Sequence, residues 1–196
     1  VFVWVDYASI AQKHRGMQVM AISSLPVYSA YADAFIVVAP NSTHSQTGHK
    51  CDLDSYNLRG WCRAEMIAKV CGSGFEHMYA YDDVAAALQP LTMDSLSRLS
   101  LHVFEGQFSC CALKHSTGRR CDKEELALPM LGLYSLMLKR RGVAHMREIV
   151  ELIENDQARF FPDAIEYVTE AESERRPLLA GLVEVMKKYV GEEETQ

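Results

Sequence analysis

Residues 56–66 read "YNLRGWCRAEM", and they lead into a stretch, residues 61–71, that has helical character. On a helical wheel of that stretch, apolar side chains cover nearly the whole circumference, and the charged residues are Arg63, Glu65 and Lys69. A helix that is apolar on almost every side is buried. Composition alone favours a surface ion pair between Glu65 and Lys69, which lie one turn apart. The alternative is a carboxylate held in an apolar wall, with a raised pKa that suits proton transfer or the stabilisation of a developing cation.

Strand-like runs lie on both sides of this helix. They are "VFVWV" at 1–5, "AFIVVAP" at 34–40 and "FEHMYAYDD" at 75–83, and such apolar runs are typical of strands buried on both faces. A further helix is predicted at 17–32, with Pro26 bending it or dividing it. The order strand, helix, strand, helix, strand predicts an α/β fold with an open parallel sheet and flanking helices, of the flavodoxin type. Ligands of such sheets bind beyond the carboxyl ends of the strands.

The second half of the chain has a different character. We predict an α/β core over residues 1–90 and an extension over 91–196 that consists of a hairpin and helices. The hairpin is expected within 104–126, with its turn at "STGR", residues 116–119. The helices of the extension are expected at 123–141, 143–161, 163–175 and 176–190.

The overall composition excludes several classes of function. The 196 residues carry a net charge of −6 without a long basic stripe, which argues against a nucleic-acid-binding protein. No run approaches the roughly 18 apolar residues of a membrane helix. Six scattered cysteines without a visible secretory signal indicate reduced thiols, and hence the cytoplasm or another reducing compartment. Because the chain begins inside a strand-like run and without Met, we expect further residues, and any targeting segment, upstream of Val1.

The central motif resembles a known family. The spacing Y-x4-WC-x2-EM, formed by Tyr56, Trp61, Cys62, Glu65 and Met66, resembles the third helix of Toll/interleukin-receptor (TIR) domains of the plant and enzymatic type. The run "VFVWVD" resembles the second strand of these domains, and the helix and strand that follow it are similar to the unit that comes next in them. The resemblance implies a TIR-like core whose first strand and helix precede Val1.

A second resemblance overlaps the first. "WVDYASIAQ" is similar to the opening of fungal heterokaryon-incompatibility (HET) domains, with Trp4, Asp6, Ile10 and Gln12 at matching positions. HET domains are related to TIR domains in fold. Together the two resemblances cover residues 1–83.

The resemblance implies a chemistry for the central helix. Enzymatic TIR domains cleave the bond between nicotinamide and ribose in NAD, and a fixed carboxylate stabilises the oxocarbenium-like transition state. Carried over by position, the catalytic residue is Glu65, NAD is the substrate, and no further cofactor is implied. Many TIR domains are instead association modules, so a catalytically inactive interaction module or accessory subunit, with protein partners or self-association, is the alternative. The residues expected to bind the substrate are Asp6, Tyr7, Ser9, Gln12, Tyr56 and Trp61.

A set of metal-ligand residue types lies on the predicted hairpin. Cys110, Cys111, His115 and Cys121 offer zinc ligands, but their spacing is not that of two C-x2-C pairs. Adjacent cysteines on a strand point to opposite faces of the sheet. The sequence therefore favours a hairpin with buried thiols over a zinc site.

Two other arrangements are less specific. His44, His49 and Cys51 lie in a polar loop, where solvated side chains are the ordinary outcome. Cys62 at a helix N-terminus could be a nucleophile, yet the sequence places no histidine beside it.

Overall fold

The computed structural model describes residues 2–6, 8–11, 13–82, 87–116 and 120–193. The strands are β1 (Phe35–Val38), β2 (Ser42–Thr43), β3 (Lys50–Cys51), β4 (Met78–Tyr81), β5 (Leu88–Pro90), β6 (Ala164–Val168) and β7 (Ser173–Pro177). The helices are α1 (Arg15–Tyr31), α2 (Leu53–Leu58), α3 (Gly60–Ser73), α4 (Ser109–Ala112), α5 (Asp122–Lys139), α6 (Ala144–Asn155), α7 (Gln157–Phe160) and α8 (Leu182–Glu193). Two 3₁₀ turns, Met93–Ser97 and Val103–Glu105, lie between β5 and α4.

Helix α3 is the buried centre of the molecule. Eleven of its fourteen residues are buried, which confirms the helix and the burial predicted from its apolar circumference. It packs against α1 on one side and against α5 and α6 on others. Gly72 lies inside α3 and allows the close approach of α1, because a β-carbon there would lie 1.9 Å from the carbonyl oxygen of Ala30. Gly74, with φ of 65°, ends the helix.

The main sheet has three strands in the order β1-β4-β5. β1 and β4 pair in parallel, with Phe35 opposite Met78 and Val38 opposite Tyr81, which confirms two of the predicted strands. β5 then pairs with β4 in the antiparallel sense. The protein is therefore a mixed α/β protein, and the described residues show one parallel pair of strands where an open parallel sheet was predicted.

The expected first strand does not form. Residues 2–5 have no strand pairing, and Phe2, Val3 and Val5 are exposed. The Trp4 ring instead stacks on Tyr28 of α1, with centroids 6.3 Å apart. A β-branched run favours a strand only where a partner strand is beside it, and the tertiary context here supplies a helix.

Helix α1 continues through its proline. Of the two effects predicted for Pro26, a bend or a division of the helix, the division is wrong, because one helix spans Arg15–Tyr31. The Nδ1 atom of His14 accepts a hydrogen bond from the amide of Met17 at 3.3 Å and caps the helix N-terminus. Packing of the helix against α3 stabilises it in spite of the missing amide at Pro26.

The second half of the chain supplies most of the remaining core. Helices α5, α6 and α8 form where helices were predicted, and their buried side chains join the same hydrophobic core as α3, β1 and β4. The helix predicted over 163–175 is wrong. That segment belongs to the hairpin β6–β7, with Ala164 opposite Pro177, because Ile165 and Tyr167 alternate with exposed residues at the period of a strand.

The hairpin predicted within 104–126 is also wrong. The segment forms the short helix α4 and a turn in place of two strands. Residues 117–119 of the predicted turn "STGR" lie outside the described residues. Within the described ranges, no helix combines the length and the apolar character that a membrane crossing requires.

Candidate active site

An open cleft lies beyond the carboxyl end of β1. Its volume is about 670 Å³, and it is bounded by the end of β1, the β2–β3 loop, α2 and the N-terminus of α3. Tyr56, Arg59 and Trp61 line it, together with Lys50 and Phe108. This is the side of the sheet on which the sequence predicted a ligand crevice.

Short-range hydrogen bonds position the α2 wall of the cleft. Asp52 Oδ1 accepts from the amide of Ser55 at 2.8 Å, and the Ser55 hydroxyl accepts from the amide of Asp52 at 2.8 Å. This reciprocal capping begins α2, which carries Tyr56 toward the cleft.

A close contact at Gly60 forms the adjoining wall. The amide of Gly60 donates to the carbonyl oxygen of Gln107 at 2.9 Å. A β-carbon at residue 60 would lie 2.0 Å from a ring carbon of Phe108, so the aromatic ring sits directly against the glycine. The "GW" dipeptide was visible in the sequence, but its partner Phe108, 48 residues away, was missed.

Trp61 spans from this wall to the second half of the chain. Its indole Nε1 donates to Asp122 Oδ2 at 2.9 Å, and its ring meets Phe108 edge-on with centroids 6.4 Å apart. Asp122 is the first residue of α5. No signal in the sequence pairs two residues 61 positions apart, so this support of the predicted site residue was missed.

Glu65 lies behind Tyr56. The carboxyl is on the buried α3 and only 7% exposed, and the Tyr56 phenol donates a long hydrogen bond to Glu65 Oε2 at 3.4 Å. Burial and, to a smaller extent, the negative charge of Asp6 raise the pKa of Glu65, whereas Arg59 and the phenol lower it, and the net result is a pKa of about 7. Burial and the neighbouring carboxylate also raise the pKa of Tyr56 well above its usual value, so the phenol keeps its proton. A carboxyl that titrates near neutral pH is suited to proton transfer.

The other charged residues of α3 have internal partners. The Lys69 ammonium donates to the carbonyl oxygen of Ala32 at 2.6 Å, just beyond the C-terminal end of α1. Burial lowers the pKa of Lys69. Arg63 donates to the carbonyl oxygens of Asn57 and His102 at 2.6 and 2.9 Å. The expected surface pair of Glu65 with Lys69 is therefore wrong, because α3 is buried and the unsatisfied carbonyls near the end of α1 attract the ammonium.

The remaining predicted site residues lie in the N-terminal loop. Asp6 is close enough to Glu65 for its charge to act on the carboxyl. The Ser9 hydroxyl accepts from the amide of Val5 at 2.9 Å and so stabilises a local turn. Tyr7 and Gln12 lie outside the described residues. The structure thus joins Glu65 to Tyr56, with Asp6 near enough for its charge to act on Glu65, and Tyr56 and Trp61 line the same cleft.

Two cysteine predictions have structural outcomes. Cys62 is buried, and burial raises the pKa of its thiol to about 12, which opposes a role as a nucleophile.

Cys110, Cys111, His115 and Cys121 converge, with their ligand atoms within 4.8 Å of one another. The expectation that the adjacent cysteines diverge assumed a strand and is wrong for the helical turn that forms.

Comparison of the chain with protein-family models, with curated proteins and with solved structures found no match. The resemblance to TIR and HET domains accordingly stays a prediction.

Proposed function

We propose that the protein is a TIR/HET-like domain that binds NAD in the cleft and cleaves its nicotinamide–ribose bond with Glu65 as the catalytic carboxylate. The observation that carries the proposal is the position of a carboxyl with a pKa near neutrality directly behind a wall of an open cleft. Tyr56 joins the two, since it lines the cleft and hydrogen-bonds Glu65.

The cleft suits a dinucleotide in size and in chemistry. Its volume of about 670 Å³ lies within the range of small-molecule sites. Arg59 and Lys50 on its walls offer positive charge to a pyrophosphate, and Trp61 offers an aromatic surface to a base.

The chemistry follows from the ionised carboxyl. Loss of nicotinamide leaves positive charge on the ribose, and a carboxylate in an apolar setting stabilises that charge more strongly than water does. A ribose hydroxyl takes the place of the Tyr56 phenol as the donor to Glu65, so the tyrosine side chain must move from between Glu65 and the cleft when the substrate binds. Because the carboxylate is the active form, kcat/KM increases with pH through about 7.

The test is nicotinamide release from NAD, measured by chromatography for the wild-type protein, Glu65→Gln and Glu148→Gln. Glu148 is an exposed residue of α6 and serves as the matched control. We expect activity in the wild type and in the control and loss to background in Glu65→Gln. A wild-type protein that leaves millimolar NAD intact, or an active Glu65→Gln variant, contradicts the proposal.

An exposed apolar surface favours a second candidate, an interaction module that self-associates or binds protein partners. Met17, Met20 and Tyr31 are exposed on α1, and Val38 is exposed on β1. In the part of the chain that the structure describes, no strand pairs with the free edge of β1. Apolar patches and open strand edges are typical of association surfaces.

Light scattering across a concentration series tests the second candidate. We expect assemblies that Met20→Glu weakens and that Glu148→Gln leaves unchanged. A monomer at every concentration contradicts self-association.

A further inference from the structure

We propose that Cys110, Cys111, His115 and Cys121 form a structural zinc site. The four ligand atoms lie within 4.8 Å of one another, and both His115 and Cys121 are buried. Three thiolates and one imidazole are a ligand set typical of structural zinc. The inference is independent of the function proposed for the cleft.

Four of the six distances between the ligand atoms are close to those of a tetrahedron of the size that zinc requires, and the other two are at most 4.8 Å. Zinc bonds of about 2.3 Å to sulfur and about 2.0 Å to nitrogen place sulfur atoms about 3.8 Å apart and sulfur about 3.5 Å from nitrogen. The three Sγ–Sγ distances are 3.8 Å for Cys110–Cys111, 3.9 Å for Cys110–Cys121 and 3.6 Å for Cys111–Cys121. The Cys111 Sγ atom lies 3.7 Å from His115 Nε2.

The near-equal spacing distinguishes an ion site from a disulfide. A disulfide brings two sulfurs to about 2.05 Å and leaves a third outside the pair. Here the three sulfurs lie between 3.6 and 3.9 Å from one another, and the six cysteines of the chain are free thiols.

The local backbone brings the ligands together. Cys110 and Cys111 lie on the turn of α4, where adjacent side chains diverge less than on a strand. Lys114 and His115 then adopt the left-handed conformation, with φ of 47° and 51°. The amide of His115 donates to the carbonyl oxygen of Cys110 at 2.8 Å, which turns the imidazole back toward the thiols. Left-handed non-glycine residues are uncommon and cluster at functional sites.

Residues behind the ligands orient the imidazole. The Nδ1 atom of His115 lies 2.8 Å from the carbonyl oxygen of Val168, which can accept only from a protonated Nδ1. The Nε2 lone pair is then directed at the thiols, as in the outer coordination shell of zinc histidines. The ring also stacks on Tyr167 at 3.9 Å, and the Arg176 guanidinium covers the far side of that tyrosine at 3.3 Å.

The surroundings also compensate the charge. Zinc with three thiolates carries a net charge of −1, and binding releases three thiol protons. The 18-residue helix α5 begins directly after Cys121, and the amide of Asp122 donates to Cys110 Sγ at 3.3 Å. The positive end of a helix dipole stabilises such an anionic centre.

A metal ion here would link three parts of the fold. The ligands come from α4, the turn after it and the residue before α5, and the imidazole is bound to β6 through Val168. Since four protein ligands complete the coordination, the role is structural rather than catalytic. Asp122 follows Cys121 and holds the Trp61 indole, so the ion also stabilises a wall of the cleft.

The first test is the metal content of the protein purified without chelators, measured by inductively coupled plasma mass spectrometry. We expect about one zinc per chain, as for a closed four-ligand site. The metal-free protein titrated with Co²⁺ is expected to show the visible bands of tetrahedral cobalt and a thiolate charge-transfer band. Alkylation of the wild-type protein, with and without a chelator, gives a readout without substitutions, and chelation is expected to expose Cys110, Cys111 and Cys121.

Variants identify the ligands. Cys111→Ser is expected to weaken zinc binding by more than the roughly 100-fold typical of outer-shell changes. Cys51→Ser, whose free thiol lies outside the cluster, is the matched control and is expected to bind as the wild type does. The proposal is overturned if the protein contains iron in place of zinc or a disulfide among the three cysteines. It is also overturned if the wild-type protein contains no metal and leaves Co²⁺ octahedral, or if Cys111→Ser binds zinc with unchanged affinity.

Discussion

Replacing Glu65 by Gln should change the stability of the protein in a way that depends on pH. The pKa of Glu65 is about 7 in the folded protein, against 4.5 for an unperturbed glutamate. The folded state therefore keeps a proton that the unfolded chain releases. The stability that this proton contributes is complete below about pH 4.5 and is lost as pH increases through about 7.

The magnitude follows from the same two pKa values. Each pH unit between them corresponds to 1.36 kcal/mol, so the wild type loses about 3 kcal/mol in all, most of it between pH 5 and pH 8. Glutamine has nearly the same shape and does not ionise. Glu65→Gln should therefore gain about 2–3 kcal/mol relative to the wild type when pH is raised from 5 to 8. The burial of the residue, 7% exposed, means that solvent screening reduces this figure little.

The assay is urea unfolding of both proteins at pH 5 and pH 8, with reductant present. Subtracting the free energy of unfolding of the wild type from that of the variant removes the contributions of groups that titrate in the same way in both proteins. Glu148→Gln replaces an exposed residue, so the free energy of unfolding of this variant should be close to that of the wild type at both pH values. If the difference between Glu65→Gln and the wild type is the same at pH 5 and pH 8, the carboxyl is not buried as described and the reasoning fails.

Three further substitutions, one of them with a control, test the surroundings of the cleft. Tyr56→Phe removes a donor that lowers the pKa of the buried carboxyl, so the pH dependence of stability should extend to higher pH in the same unfolding assay. Gly60→Ala should lower the free energy of unfolding by about 1–3 kcal/mol through overpacking, because the new β-carbon would lie 2.0 Å from a ring carbon of Phe108. As its control, Gly132→Ala in α5 meets no atom within 4 Å and should raise the free energy of unfolding by up to about 1 kcal/mol. Asn57→Ala leaves the amide and the carbonyl of Ser100 without their side-chain partners and should cost about 1–3 kcal/mol for each group, measured by urea unfolding.

The features that the sequence predicted correctly are those written in local hydrophobic patterns. The burial of α3 follows from its apolar circumference, and the parallel strands β1 and β4 follow from two apolar runs separated by a helix. The helices α5, α6 and α8 likewise form where helices were predicted. Such patterns predict which face of a segment packs against the core, but they do not identify the segments that it packs against.

The candidate site was only partly predictable for the same reason. The motif pointed to Glu65, Tyr56 and Trp61, and the structure places all three at or behind one cleft. The partners that define their chemistry come from elsewhere in the chain. Asp122 bonds the Trp61 indole across 61 residues, and no periodicity encodes such a contact.

By itself, the sequence determined the burial of α3 and the positions of β1 and β4, because helix burial and strand formation follow from side-chain hydrophobicity and from its period along the chain. It did not determine the burial of the first apolar run, where Phe2, Val3 and Val5 are exposed. The tertiary structure alone decided which charged and ligating groups meet. Lys69 bonds a carbonyl oxygen at the C-terminal end of α1 rather than Glu65, because a buried ammonium must pair with the polar atoms that lie beside it after packing. The tertiary structure also gathers three thiols and His115 around one point, because a helical turn and two left-handed residues replace the predicted strand. The backbone conformation of such a segment is decided by its packing against distant parts of the chain, and a local sequence pattern carries no information about that packing.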